Sequence, residues 1–179
     1  MNPSSPSLLC SGVILSGSAY LFELTRNDTY LEFAFNLAQN TLKTLVYGDG
    51  DGTLREPCEP NGNCGKDGRQ FKGAFIRHWW YFWQIYSRSH RHCHHHLHHS
   101  DLVHQSNAMA LHVMEMAETL WHKARNELNE FGTKWNAKPS SQKHTGPIRQ
   151  AAATDLLVVN AALHHRDGAA GTSGLHGAS

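Results

Sequence analysis

An all-α fold is what this sequence predicts, and three observations carry the prediction. Apolar residues recur at three- and four-residue steps in about five separate segments. Between them lie stretches rich in Gly, Pro, Asp and Asn, the residues that turn a chain and end helices. No run alternates apolar and polar residues as a half-buried strand does. The 179 residues suit one domain with a core of ordinary size.

The elements follow in order. Ser11 is placed to cap a first helix ending near Thr25, with Val13, Leu15, Ala19 and Phe22 on its apolar face. "RND" then turns the chain, and Thr29 with Glu32 forms a capping box for a second helix reaching Leu45. So short a turn makes the pair an antiparallel hairpin. Residues 47–68 are loop. A third helix spans Gln70 to Ser87, apolar through Phe71, Phe75, Trp79, Phe82 and Tyr86. Residues 88–100 are low-complexity and His-rich. A fourth helix begins near Asp101 or Leu102 and extends to about Glu130. Pro147 opens a fifth, ending near His164, because proline suits the first helical turn. The tail 166–179, rich in Gly and Ser, is expected to be disordered.

Composition narrows function. A formal net charge of +1 removes the electrostatic case for nucleic acid or an anionic membrane surface. No run of eighteen apolar residues is present, so no transmembrane helix is expected. The N-terminal stretch lacks a basic n-region and makes a poor signal peptide, whereas four cysteines point to an oxidising compartment. A chain that has lost its true N-terminus would reconcile the two.

The segment "DGTLREPCEPNGNCGKDGRQFKGAFIRH" concentrates the chemistry. Cys58 and Cys64 are close enough to close a disulfide that stiffens the loop, with free thiols and a zinc site as the alternatives. Zinc is disfavoured because the spacing is not a knuckle and no second ligand pair follows. Asp67 lies where a helix start favours an acid. Lys72 and Arg77 are cations in the first half of a helix, against its dipole. They are either solvated or directed into a polar cleft where they hydrogen-bond sugar hydroxyls. The His cluster from His90 to His99 is able to hold Ni²⁺, Cu²⁺ or Zn²⁺ adventitiously. A dedicated metal site would need fixed ligands and an ordered outer shell, so no metal and no cofactor is assigned.

These residues resemble the signature of glycoside hydrolase family 76, the endo-α-1,6-mannanases and their fungal cell-wall relatives. The matching positions are Asp51, Gly52, Leu54, Glu56, Cys58, Cys64, Asp67, Phe71, Lys72, Gly73 and Arg77. "SGVILSGSAYLFELTRNDTYLEFA", "NEFGTKW" and "RQAAATDLLVVNAAL" agree more loosely, so the resemblance spans about residues 8–163 and the domain is set at 8–165. It implies a partial (α/α)6 barrel, an incomplete toroid equivalent to the C-terminal half of the family domain. The implied activity is hydrolysis or transfer at α-1,6-mannosidic linkages in an extracellular or cell-wall setting. The implied glycan contacts are Asp67, Gln70, Lys72 and Arg77, with a mannan or other α-mannoside as partner.

The sequence also departs from the family. Its members carry an adjacent Asp-Asp pair as nucleophile and general acid/base, and this sequence has no Asp-Asp. Retaining hydrolysis needs two carboxyls about 5–5.5 Å apart across the scissile bond. No catalytic residue is therefore assigned, and the chain alone is expected to be inactive. The alternatives are a non-catalytic mannan-binding or wall protein and a His-rich metal-binding helical protein. A divided ring would expose helix faces and favour self-association.

Overall fold

A computed structural model describes residues 7–46, 52–65, 67–92, 99–139 and 146–172. Among these, five α-helices form: α1 (Leu8–Thr25), α2 (Asp28–Thr44), α3 (Phe71–His92), α4 (His99–Lys123) and α5 (Pro147–Thr172). A 3₁₀ turn at Asp67–Arg69 leads into α3, and two isolated bridges, Val46 with Leu54 and Arg125 with Phe131, pin the loop ends. The described chain is all-α, as its periodicity predicts.

The helices form two layers. α3 packs against α1 on one side and α5 on the other, while α2 covers α1 and α4 covers α5. Side-chain pairs fix the directions of the inner three. Along α1 and α3, Ser16 meets His78 and Glu23 meets Arg88. Along α3 and α5, Arg77 meets Asp155 and Ser87 meets Arg166. Residue numbers rise together in both cases, so α1, α3 and α5 run parallel and all begin at one rim. α2 and α4 return the chain to that rim on the outside.

Two glycines let the inner helices approach closely. A methyl group at Gly12 would sit 3.1 Å from the Phe75 Cα, and one at Gly73 would sit 2.6 Å from the Ala152 Cα. Behind this contact lies the core, in which Phe75, Trp79 and Phe82 are fully buried. Phe35 of α2 stacks on Tyr86 with ring centroids 5.0 Å apart, joining the two layers.

Several boundaries differ from the sequence reading. α1 starts a turn before Ser11, which is itself buried inside the helix, because a distant carboxylate accepts the Leu8 N–H. Asn27, not Thr29, caps α2: its side chain accepts the Thr29 N–H at 3.1 Å. α3 runs past Ser87, where Ser87 and Ser89 bond carbonyls one turn back and Arg88 reaches Glu23. α4 stops at Lys123 rather than near Glu130, since Asn126 Oδ1 accepts the Leu128 and Glu130 N–H groups and folds that segment into a turn.

The expected tail is partly helical. α5 continues from His164 to Thr172, anchored where Arg166 bonds Ser87 and lies 4.5 Å over the Trp83 ring. Residues 173–179 and the His-rich residues 93–98 lie outside the described residues, as does Asp51 of the signature.

The membrane expectation turns on α1. α1 is long and apolar enough, by length and composition, to cross a bilayer. Its glycines and serines interrupt the apolar run without lowering the mean hydropathy of 1.4 enough to exclude it. In this fold α1 is one of the three inner helices, with Leu15 and Ala19 fully buried and Val13, Ile14 and Leu24 exposed.

Candidate functional site

The rim where the three inner helices begin gathers the loop residues 52–65, 67–70 and 124–139. Cys58 and Cys64 are joined by a disulfide with Cα atoms 5.0 Å apart. The staple closes a short turn in which the Glu59 N–H bonds the Glu56 carbonyl and the Gly62 N–H bonds the Glu59 carbonyl. Gly62 has φ +66, a left-handed conformation that glycine adopts without strain.

This turn drives two carboxylates inward. Glu56 is 3% exposed and accepts the Leu8 N–H at 3.1 Å, completing the first turn of α1, whose own cap residue Ser7 makes no side-chain bond. Glu59 accepts the Glu56 N–H at 3.2 Å and pairs with the Lys72 ammonium at 2.9 Å. Lys72 also donates to the Thr133 carbonyl and lies 4.8 Å from the centroid of the Trp135 ring. One ammonium thus ties the first loop, α3 and the second loop together.

Burial sets the electrostatics of this knot. Desolvation pushes the Glu56 carboxyl up to about 7; the Leu8 N–H draws it back, Glu59 adds repulsion, and Lys72 offsets part of it. Burial lowers the Lys72 pKa, with Glu59 opposing the shift. Lys72 is 1% exposed. The expected direct contact between Lys72 and a sugar does not fit this enclosed ammonium, which instead holds the rim in shape.

The other sequence candidates are open to solvent. Asp67 begins the 3₁₀ turn, and its carbonyl accepts the Gln70 N–H at 3.1 Å. Gln70 stands at the head of α3, its carbonyl taking the Ala74 N–H. Both side chains are exposed. Arg77 lies further down α3, with its side chain 64% exposed and its guanidinium 3.5 Å from Asp155 of α5. Partial burial raises the Asp155 pKa and Arg77 opposes that.

Below Arg77 the inner face continues as a polar and aromatic strip. His78 Nδ1 lies 2.8 Å from Ser16 Oγ; burial and then Arg77 lower the pKa of this imidazole. Tyr81 stacks on Tyr20 at 4.3 Å and donates to Glu23 at 2.9 Å. Burial and these bonds push the Tyr81 phenol pKa upward.

A cavity of about 490 Å³ opens between the stapled turn and the second loop. Glu59, Cys64, Thr133 and Arg149 are among its lining residues; Asp67, Gln70 and Arg77 are not. Sequence reasoning did not single out Glu59, Thr133, Trp135 or Arg149. They lie in loops or at a helix start, where no periodicity marks a buried polar residue. The available signals are the loose family likeness of the segments holding Thr133, Trp135 and Arg149, and Lys72 itself, a cation whose place on an apolar helix demands a partner.

The molecule is therefore part of a two-layered helical ring with a polar rim at the start of its inner helices. Residues 7–173 match the model of glycosyl hydrolase family 76, and the chain belongs to that family. Solved structures of the alpha-1,6-mannanase GH76A of Salegentibacter sp. HEL1_6 are similar at 22% identity. An inactive variant in complex with alpha-1,6-mannotetrose, with two consecutive aspartates replaced by alanine, superposes with a TM-score of 0.69. A second inactive variant, with asparagine at both positions and alpha-1,6-mannotriose bound, gives 0.65, and a further structure of the enzyme gives 0.67. Each match covers 90% of this chain and 41% of the other. The chain thus spans less than half the length of these enzymes and has the fold of part of their (α/α)6 ring. Comparison with curated proteins finds no match.

Proposed function

We propose that this chain contributes one wall of an α-1,6-mannoside cleft, in the manner of the C-terminal half of a family-76 glycoside hydrolase. The observation that carries the reading is the exposure of Asp67 and Gln70 at the head of α3 and of Arg77 further along the same inner helix. Exposed carboxylate, amide and guanidinium groups suit the hydroxyls of a neutral glycan, each accepting or donating without a fixed charge on the ligand. Lys72 acts one step back, as a positioning residue that fixes the loop ahead of Asp67. The disulfide and the family setting support an extracellular or cell-wall location.

Chemistry needs more than this wall. Retaining hydrolysis requires one carboxyl to attack and another to protonate, both open to the glycosidic bond. Glu56 and Glu59 are neighbours but are 3% and 6% exposed, the first holding a backbone N–H and the second an ammonium. Neither is placed for catalysis, and the sequence offers no Asp-Asp pair. The chain by itself is a binder without turnover.

Titration with α-1,6-mannotetraose, followed by product analysis, tests both halves of the reading. Saturable binding with no release of shorter oligosaccharides is expected. Turnover above buffer would remove the claim of inactivity, and no binding would remove the claim of a cleft wall.

A further inference from the structure

The cavity beside the stapled turn has a charge pattern that a neutral glycan does not explain. Among its described lining residues are the cations Arg69, Lys134, Lys138 and Arg149. The acidic residue among its described lining residues is Glu59, whose carboxylate is engaged by Lys72 at 2.9 Å and by the Glu56 N–H at 3.2 Å. This concentration of positive charge stands on a chain whose net charge is only +1.

Two of the cations are held where like charges oppose one another. Arg149 is 7% exposed, and its Nε donates to Thr133 Oγ1 at 2.7 Å, which fixes the guanidinium plane against the second loop. Burial lowers the Arg149 pKa, and the approach of Arg69 lowers it further. Gathering cations around a concave, partly desolvated space raises the local potential and concentrates anions there. Guanidinium forks also match the oxygens of a phosphate in pairs. The volume of about 490 Å³ falls within the roughly 300–1,000 Å³ typical of small-ligand pockets.

We propose that this cavity binds the phosphate group of a small ligand, either free or carried by a sugar. Arg69 of the 3₁₀ turn meets the oxygens, Lys134 and Lys138 close the outer side, and Arg149, held against Thr133 at the head of α5, adds positive potential from behind. The site is separate from the proposed glycan contacts Asp67, Gln70 and Arg77, which do not line it, though it shares Glu59 and Thr133 with the knot around Lys72.

Isothermal titration of the full chain with mannose 6-phosphate, inorganic phosphate and mannose tests the site. At least a tenfold preference for mannose 6-phosphate over mannose is expected. The double variant Lys134→Glu/Lys138→Glu, which changes two exposed side chains and leaves the Thr133–Arg149 contact in place, is expected to weaken phosphate binding at least tenfold. Arg69→Ala should do the same. If inorganic phosphate binds as tightly as mannose 6-phosphate, the ligand is the free anion; if it binds more weakly, the phosphate is sugar-borne. Absence of binding by either phosphate compound would overturn the proposal. So would affinities unchanged in the double variant. Titrating α-1,6-mannotetraose alongside reports on the mannan reading separately.

Discussion

Lys72 and Arg77 stand five positions apart on one helix, and their surroundings have little in common. Lys72 is enclosed, with Glu59, the Thr133 carbonyl and the face of Trp135 around its ammonium. Arg77 is largely in solvent and shares a longer contact with Asp155. Water screens the second pair and scarcely reaches the first. The enclosed group therefore governs stability, while the open one remains available to a ligand. A basic residue on a helix says nothing about its role until its partner and exposure are known.

Removing the buried ammonium should have the largest effect. Lys72→Met leaves Glu59 without its ion-pair partner inside the rim, and a loss of about 3–5 kcal/mol is expected in urea unfolding. A loss below about 1 kcal/mol would mean that the knot is looser than its distances imply.

Glu56 sharpens the comparison through pH. Its folded pKa of about 7 lies above the ordinary value of 4.5, so the folded chain holds the proton more tightly. The resulting stability is fully present below about pH 4.5 and is lost as pH rises through 7, amounting to about 3 kcal/mol at most. Glu56→Gln should abolish this slope while still accepting the Leu8 N–H, leaving the variant more stable than its parent above pH 7. Parallel unfolding curves between pH 5 and 8 would contradict the assignment.

Opening the staple comes next. Cys58→Ser/Cys64→Ser should cost about 2 kcal/mol, since so short a loop gives modest entropic stabilisation. The smallest stability change belongs to Arg77→Ala, below about 1 kcal/mol because its pair is exposed. The proposed function requires that the same variant lose roughly tenfold in mannotetraose affinity, equivalent to one charge-assisted hydrogen bond of about 1.5 kcal/mol. Equal affinity in parent and variant would place the glycan elsewhere.

The helices were legible because burial imposes a period on them. Trp79, Phe82 and Tyr86 recur on α3 at core-facing positions and are all buried. The helix ends were less legible, because their partners come from elsewhere in the chain. Nothing local to Leu8 indicates that Glu56 will take its N–H, and nothing local to Phe131 indicates that Gln150 will bond both its N–H and its carbonyl. The site divides in the same way. Asp67, Gln70 and Arg77 stand out by position in a recognisable signature. Glu59, Thr133 and Arg149 lie in segments that also resemble the family, but at positions no motif marks, and only the folded rim brings them together.

The bond between Leu8 and Glu56 spans 48 residues, so the first amide of α1 is held by a loop remote in sequence. Amide exchange at Leu8 should therefore follow the local opening of that loop rather than the fraying of its own helix, making a single proton a gauge of whether the rim is sealed.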